Sequence, residues 1–159
     1  MSYRNKTYVC FDADTDINYY NEMTGWKESK QIDFNFHNAH DLNILSDDNS
    51  EETIKAKLKE RMNNTTALIV LIGEATKNKF VRWEQDIAIE MGMPIIAVNL
   101  NGKKVRDIEL CPPILQNELA VHIPFGVKTI QYALDNWPAL HSQNKNDGKT
   151  GPYHYNESI

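Results

Sequence analysis

ALIVLIGEATKNKFVRWEQDIAIEMGMPIIAVNL, running from Ala67 to Leu100, decides the fold. Its first seven residues, Ala67 to Gly73, show no polar alternation, the mark of a strand buried on both faces of a sheet. From Phe80 to Met91 the period changes. At about 100° per residue, Phe80, Ile87, Ala88 and Met91 fall on one apolar helical face, with Val81 and Trp83 at its flanks. Gly92 and then Pro94 supply strong helix-stop chemistry. PIIAVNL, Pro94 to Leu100, follows as a second buried strand. Strand, helix and strand in this order, with both strands apolar throughout, is the unit of a parallel α/β sheet. One residue breaks the pattern: Glu84 falls in the middle of the apolar helical face.

The same alternation extends to both sides. TYVCF (Thr7–Phe11) reads as the first strand, followed by an acidic turn, Asp12 to Asp16. A short helix is expected within the irregular segment around Gly25. QIDFNF (Gln31–Phe36) alternates strictly and reads as a half-exposed or edge strand. Ser50 to Met62 reads as a surface helix, capped by Asp48 or Ser50, with glutamates in its first turn and Ile54, Leu58 and Met62 as its apolar stripe. AVHIPF (Ala120–Phe125) gives a fifth strand. Val127 to Asn136 gives a last helix, stopped by Pro138. The expected architecture is a flavodoxin-like, five-stranded parallel sheet of order 2-1-3-4-5 with helices on both faces. It occupies residues 1–140, and a polar, loosely packed tail follows over 141–159.

At 159 residues with a net charge of -5, the chain is long enough for one self-sufficient core. It has no basic stripe of the kind that holds nucleic acid. No run approaches the roughly 18 apolar residues of a membrane span, and the first residues contain no signal-peptide run. Cys10 and Cys111 sit in apolar settings and read as reduced, buried thiols. A cytoplasmic protein that engages neither nucleic acid nor membrane is the expectation.

In sheets of this order, ligands bind beyond the C-terminal strand ends at the switch point between strands one and three. Three segments converge there: Asp12 to Asp16, Phe36 to His40 and Gly73 to Glu84. Asp12-x-Asp14-x-Asp16 lacks the glycine and the twelfth-position acid of an EF-hand, where Ile17 and Met23 stand. It reads instead as a polar turn with one or two residues lining the crevice. His37 and His40 lack companions at zinc spacing, so they are loop histidines or contacts to a phosphate or ribose. No metal site is expected. Trp83 is either a core residue or a stacking platform. Glu84 has two readings. It is a first-turn glutamate held by the helix dipole or by Arg82 or Lys79, or it is a functional carboxylate in a cleft. An unpaired buried carboxylate costs several kcal/mol, which argues for a function. No phosphate-binding glycine loop and no Ser-His-Asp or Cys-His set is legible.

The run from Asn63 to Gly102 resembles the TIR-like superfamily, in particular its stand-alone bacterial branch that includes the TIR sensor of the Thoeris anti-phage system. The resemblance covers about residues 6 to 136. It rests on the buried strand, the GEAT turn (Gly73–Thr76), the Trp83-Glu84 helix start and the strand that follows. YVCFDADTD (Tyr8–Asp16) is similar to the family's opening strand, although a serine common there is replaced around Cys10 to Asp12. FNFHNAHDL (Phe34–Leu42) resembles the branch's second strand and loop. The resemblance implies an enzyme that cleaves NAD between nicotinamide and ribose, with Glu84 at the catalytic position. NAD is then a substrate, and no cofactor is required. It further implies an ADP-ribose-derived product, cyclic or conjugated, that activates a separate effector, with a phage trigger and a site completed by a second copy. On this reading the substrate lies against Phe11, Asp12, Asp14, Phe36, His37, Asn38, His40 and Trp83. Other TIR domains are non-catalytic, so a protein-interaction or nucleotide-sensing module is the alternative.

Overall fold

The computed structural model describes residues 6–32, 35–38, 50–63, 65–76 and 79–155, with residues 35–38 and 79–81 described for their backbone alone. The elements run β1 (Lys6–Cys10), α1 (Ala13–Glu28), β2 (Asn35–Asn38), α2 (Glu51–Met62), β3 (Ala67–Ile72), α3 (Lys79–Glu90), β4 (Ile95–Asn99), β5 (Val121–Pro124) and α4 (Val127–Asn146), with a 3-10 turn at Pro113–Leu115 before β5. All strand pairings are parallel. The sheet order is β2-β1-β3-β4-β5. The chain therefore steps outward from β1 to β2 and then back across to β3. That reversal leaves a crevice above the C-terminal ends of β1 and β3.

The sheet divides two apolar layers. Period-two alternation sends Tyr8 and Cys10 to one face and Val9 and Phe11 to the other. The first layer gathers Ile54, Leu58 and Met62 of α2, Trp83, Ile87 and Ala88 of α3, and Leu115 of the 3-10 turn. The second gathers Tyr20, Met23 and Trp26 of α1 with Ile130, Leu134 and Trp137 of α4. All six residues of β3 and all five of β4 are buried, as expected of strands covered on both faces. Both cysteines are buried and form no disulfide with each other.

Several boundaries move for identifiable reasons. The segment read as an acidic turn is the start of α1: Asp12 caps it, its Oδ1 accepting from the Asp14 and Thr15 backbone N–H groups at 3.1 Å each. β2 is described over Asn35–Asn38, so His37 and Asn38 lie in the strand rather than in a loop. Ser50, not Asp48, caps α2. Gly92, at φ +70°, ends α3 with the Met93 N–H donating to the Ala88 carbonyl at 2.9 Å.

The largest departure is at the C-terminus. α4 passes through Pro138 and continues to Asn146. Proline removes one backbone donor, but Leu134, Trp137, His141 and Asn144 continue a single buried stripe across it. Beyond the helix, the Tyr153 N–H donates to the Ala120 carbonyl at 2.8 Å and the His122 N–H donates to the Tyr153 carbonyl at 3.0 Å. Tyr153 also packs its ring on Trp137. Through Tyr155 the segment is thus packed against β5 rather than loosely attached. Among the described residues, no helix is long and apolar enough to cross a membrane.

Candidate functional site

Glu84 is the sixth residue of α3, past the first turn, and is 2% exposed. Trp83 and Gln85 on either side are buried with it, and Ile87 and Ala88 one turn on are buried too. α3 is therefore sunk into the first apolar layer over more than half its circumference, and the carboxylate goes in with it. Arg82 is exposed, and Glu84 makes no ion pair among the described residues. Its Oε2 has no hydrogen-bond partner there. Arg82 therefore does not neutralise Glu84, which also lies past the first turn of α3; the Lys79 side chain lies outside the described residues.

The Cys10 thiol, at the end of β1, donates to the Glu84 carboxylate. That bond favours the ionised acid, but burial opposes it more strongly and pushes the Glu84 carboxyl up to about 8. Cys10 is raised well above the ordinary thiol range, by burial first and by the Glu84 charge second. The Gln85 amide stands beside the same thiol and is fully buried, yet neither of its polar atoms meets hydrogen-bond geometry with a described residue. A carboxyl, a thiol and an amide thus share one dry compartment at the end of β1.

The turn between β3 and α3 is held by Thr76. Its hydroxyl accepts from the Gly73 N–H at 2.7 Å and donates to the Leu71 carbonyl at 3.0 Å. Directly over Gly73 lies the carboxylate of Asp16, from the first turn of α1. A Cβ built on Gly73 would stand 2.7 Å from its Oδ2. Asp16 is buried, and its pKa is raised by desolvation first, then by repulsion from Asp12 and Glu74.

The residues anticipated for the site do not all gather there. Trp83 lies in the same layer as Glu84. Phe11 does not: alternation turns it to the opposite face, where it stacks on Tyr20 with centroids 5.1 Å apart. It cannot help to wall the Glu84 compartment; Tyr8 and Cys10 occupy that side instead. Asp12 is committed to capping α1, and Asp14 is exposed. Phe36, His37 and Asn38 pair through β2 with Thr7, Tyr8 and Val9 at the sheet end that borders the crevice. His40 lies outside the described residues. Gln85 was not singled out from sequence, and Gly73 and Thr76 figured only in the GEAT turn that carries the resemblance. Asp16 was visible only as part of an acidic turn, and its partner Gly73 is far along the chain. A separate cleft of about 190 Å3, lined by Gly92, Glu118, His141 and Lys145 among others, lies at the opposite end of the sheet.

The protein is a parallel doubly wound α/β domain with a buried acid on the helix after its third strand and a polar turn at the switch point. The family model for the TIR-like domain of the Thoeris protein ThsB matches residues 8–105, more than half of the 159-residue chain, and the chain belongs to that family. The match spans β1 through β4 and includes Cys10, Asp16, Gly73 and Glu84.

Proposed function

We propose that the chain is an NAD-consuming enzyme of anti-phage defence, which breaks the nicotinamide–ribose bond and releases an ADP-ribose-derived signal to a separate effector. One observation carries the reading: Glu84 is an acid kept buried, with no ion pair among the described residues, at the ligand-binding end of the sheet. A structural role would be served better by leucine, because desolvating a lone carboxylate destabilises the fold.

Chemically, the C1′–N bond breaks with its electron pair passing to the pyridinium nitrogen, so nicotinamide departs neutral and needs no acid. Positive charge develops on the ribose. A carboxylate fixed beside it stabilises that charge, most strongly where water is excluded. Water, or a nucleophile on the same or a second substrate, then captures the cation and loses its proton, giving ADP-ribose, a cyclic isomer or a conjugate. The raised pKa of Glu84 fits this order of events. Burial favours the neutral acid, and an arriving pyridinium cation favours the ionised form that the transition state needs. Completion of the site by a second copy, triggered by a phage component in the cytoplasm, belongs to the same reading.

A non-catalytic interaction module is the rival, favoured by the near-complete burial of Glu84, since substrate reaches it only if neighbouring side chains part. Incubation with NAD, with and without infected-cell lysate, followed by mass spectrometry of the products, separates the two. Nicotinamide release that disappears in Glu84→Gln supports the enzyme. Release that persists in that variant, or is absent under both conditions, rejects it.

A further inference from the structure

We propose that Asp16 is a binding residue for a ribose of the nucleotide substrate, its carboxylate accepting the sugar's hydroxyl hydrogens at the switch point between β1 and β3. The inference rests on the reading of the chain as an NAD-binding protein and adds a residue that the reading does not require.

Asp16 is 4% exposed, and its Oδ2 has no hydrogen-bond partner among the described residues. It makes no ion pair there. Among the described residues, the charges that act on it are two other acids, Asp12 and Glu74. The capping of α1 does not need it, because Asp12 already accepts from two backbone N–H groups of the first turn. An asparagine at position 16 would have nearly the same shape, without the desolvation cost and without the repulsion. The fold nevertheless holds a carboxylate there and leaves Gly73 bare beneath it, where any side chain would run into Oδ2 at 2.7 Å. A buried charge kept against the interest of stability, at the ligand-binding end of the sheet, is the signature of a residue retained for binding.

The surroundings also select the ligand chemistry. Among the described residues, the charges around Asp16 are acidic and repel a diphosphate. Among the described residues, no three side chains converge as a metal site would require. What an unpartnered carboxylate oxygen lacks is a neutral O–H donor, and the vicinal diol of a ribose offers two. An acidic residue receiving ribose hydroxyls is a recurrent solution in doubly wound sheets.

The test compares wild type with Asp16→Asn, using NAD, ADP-ribose and NAD analogues that lack the 2′-hydroxyl on one ribose or the other. KM for NAD and Kd for ADP-ribose are both measured, with a thermal melt of each protein. The expected result is a loss of affinity of about tenfold or more with kcat held within a few-fold, since a hydrogen bond to a charged group is lost. One 2′-deoxy analogue, weaker than NAD on wild type, is expected to lose that disadvantage on Asp16→Asn. The variant is expected to melt higher than wild type, an outcome that simple structural damage would not give. Gly73→Ala, which displaces the same carboxylate, is expected to erase the same preference for the hydroxyl. An unchanged affinity, or an equal 2′-deoxy penalty in both proteins, overturns the inference even if Glu84→Gln behaves as proposed. Wild type that binds neither NAD nor ADP-ribose overturns both.

Discussion

Glu84→Gln keeps the shape of the side chain and removes its ionisation, and the structure sets the size of the consequence for folding. Glu84 titrates at about 8 in the folded chain, against an ordinary 4.5. Between those values the folded protein retains a proton that the unfolded chain has released, so stability falls as pH rises through the window. At about 1.4 kcal/mol per pH unit, moving from about pH 5 to about pH 7 costs the wild type roughly 3 kcal/mol. Glu84→Gln escapes this loss. For a domain of this size that corresponds to about 5–10 °C in Tm. Whatever fixed penalty the buried amide introduces applies equally at both pH values, so the change with pH isolates the carboxyl. The assay is a pair of thermal melts at the two pH values, with the exposed Glu90→Gln on the same helix as control. The gap between Glu84→Gln and wild type is expected to widen by that amount toward neutral pH, with no such change for Glu90→Gln. A constant gap would mean that Glu84 is solvated or paired, and the argument for its function would go with it.

Three further outcomes follow from the same geometry. Cys10→Ala removes the donor that favours ionised Glu84 and is expected to move the rising limb of the pH–rate profile for nicotinamide release upward by about one pH unit or less, while Cys10→Ser, a stronger donor, moves it down. His122 is fully buried, both its ring nitrogens lack partners among the described residues, and burial, with His154 and Arg106 nearby, lowers it to about 4. The unfolded chain therefore takes up a proton near 6.5 that the folded chain refuses until about 4, and stability is lost as pH falls through that interval; His122→Leu is expected to remove up to about 3 kcal/mol of this acid sensitivity in denaturant titrations. Thr76→Val deletes both hydrogen bonds of the turn after β3 and strands the Gly73 N–H; a loss of about 1–3 kcal/mol is expected by denaturant titration.

Legibility in the sequence followed how local the deciding physics was. The unbroken apolar run of β3, the Ser50 cap and the Gly92 stop are each decided within a few residues, and each appears where expected. Pro138 misled because the loss of one backbone donor is a local cost, whereas the stripe from Leu134 to Asn144 that outweighs it is tertiary. Glu84 is legible as a charge on an apolar face, but the absence of an ion pair with Arg82 is not, since the two stand close in sequence. The resemblance places Phe11 against the substrate, but a one-residue step along a strand changes the face of the sheet, and Phe11 lies in the layer opposite Glu84. Asp16 gains its meaning from Gly73, and no spacing rule links the two.

The main chain at Tyr153 has a consequence for how copies of this domain can meet. A five-stranded open sheet offers two rims, and an unclaimed rim invites a neighbouring molecule to add a strand. At Ala120–His122 the outer rim of β5 already gives one donor and one acceptor to the chain's own end. A filament or dimer that grew by extending the sheet there would first have to peel that end away. A contact through the helices would not require that end to move.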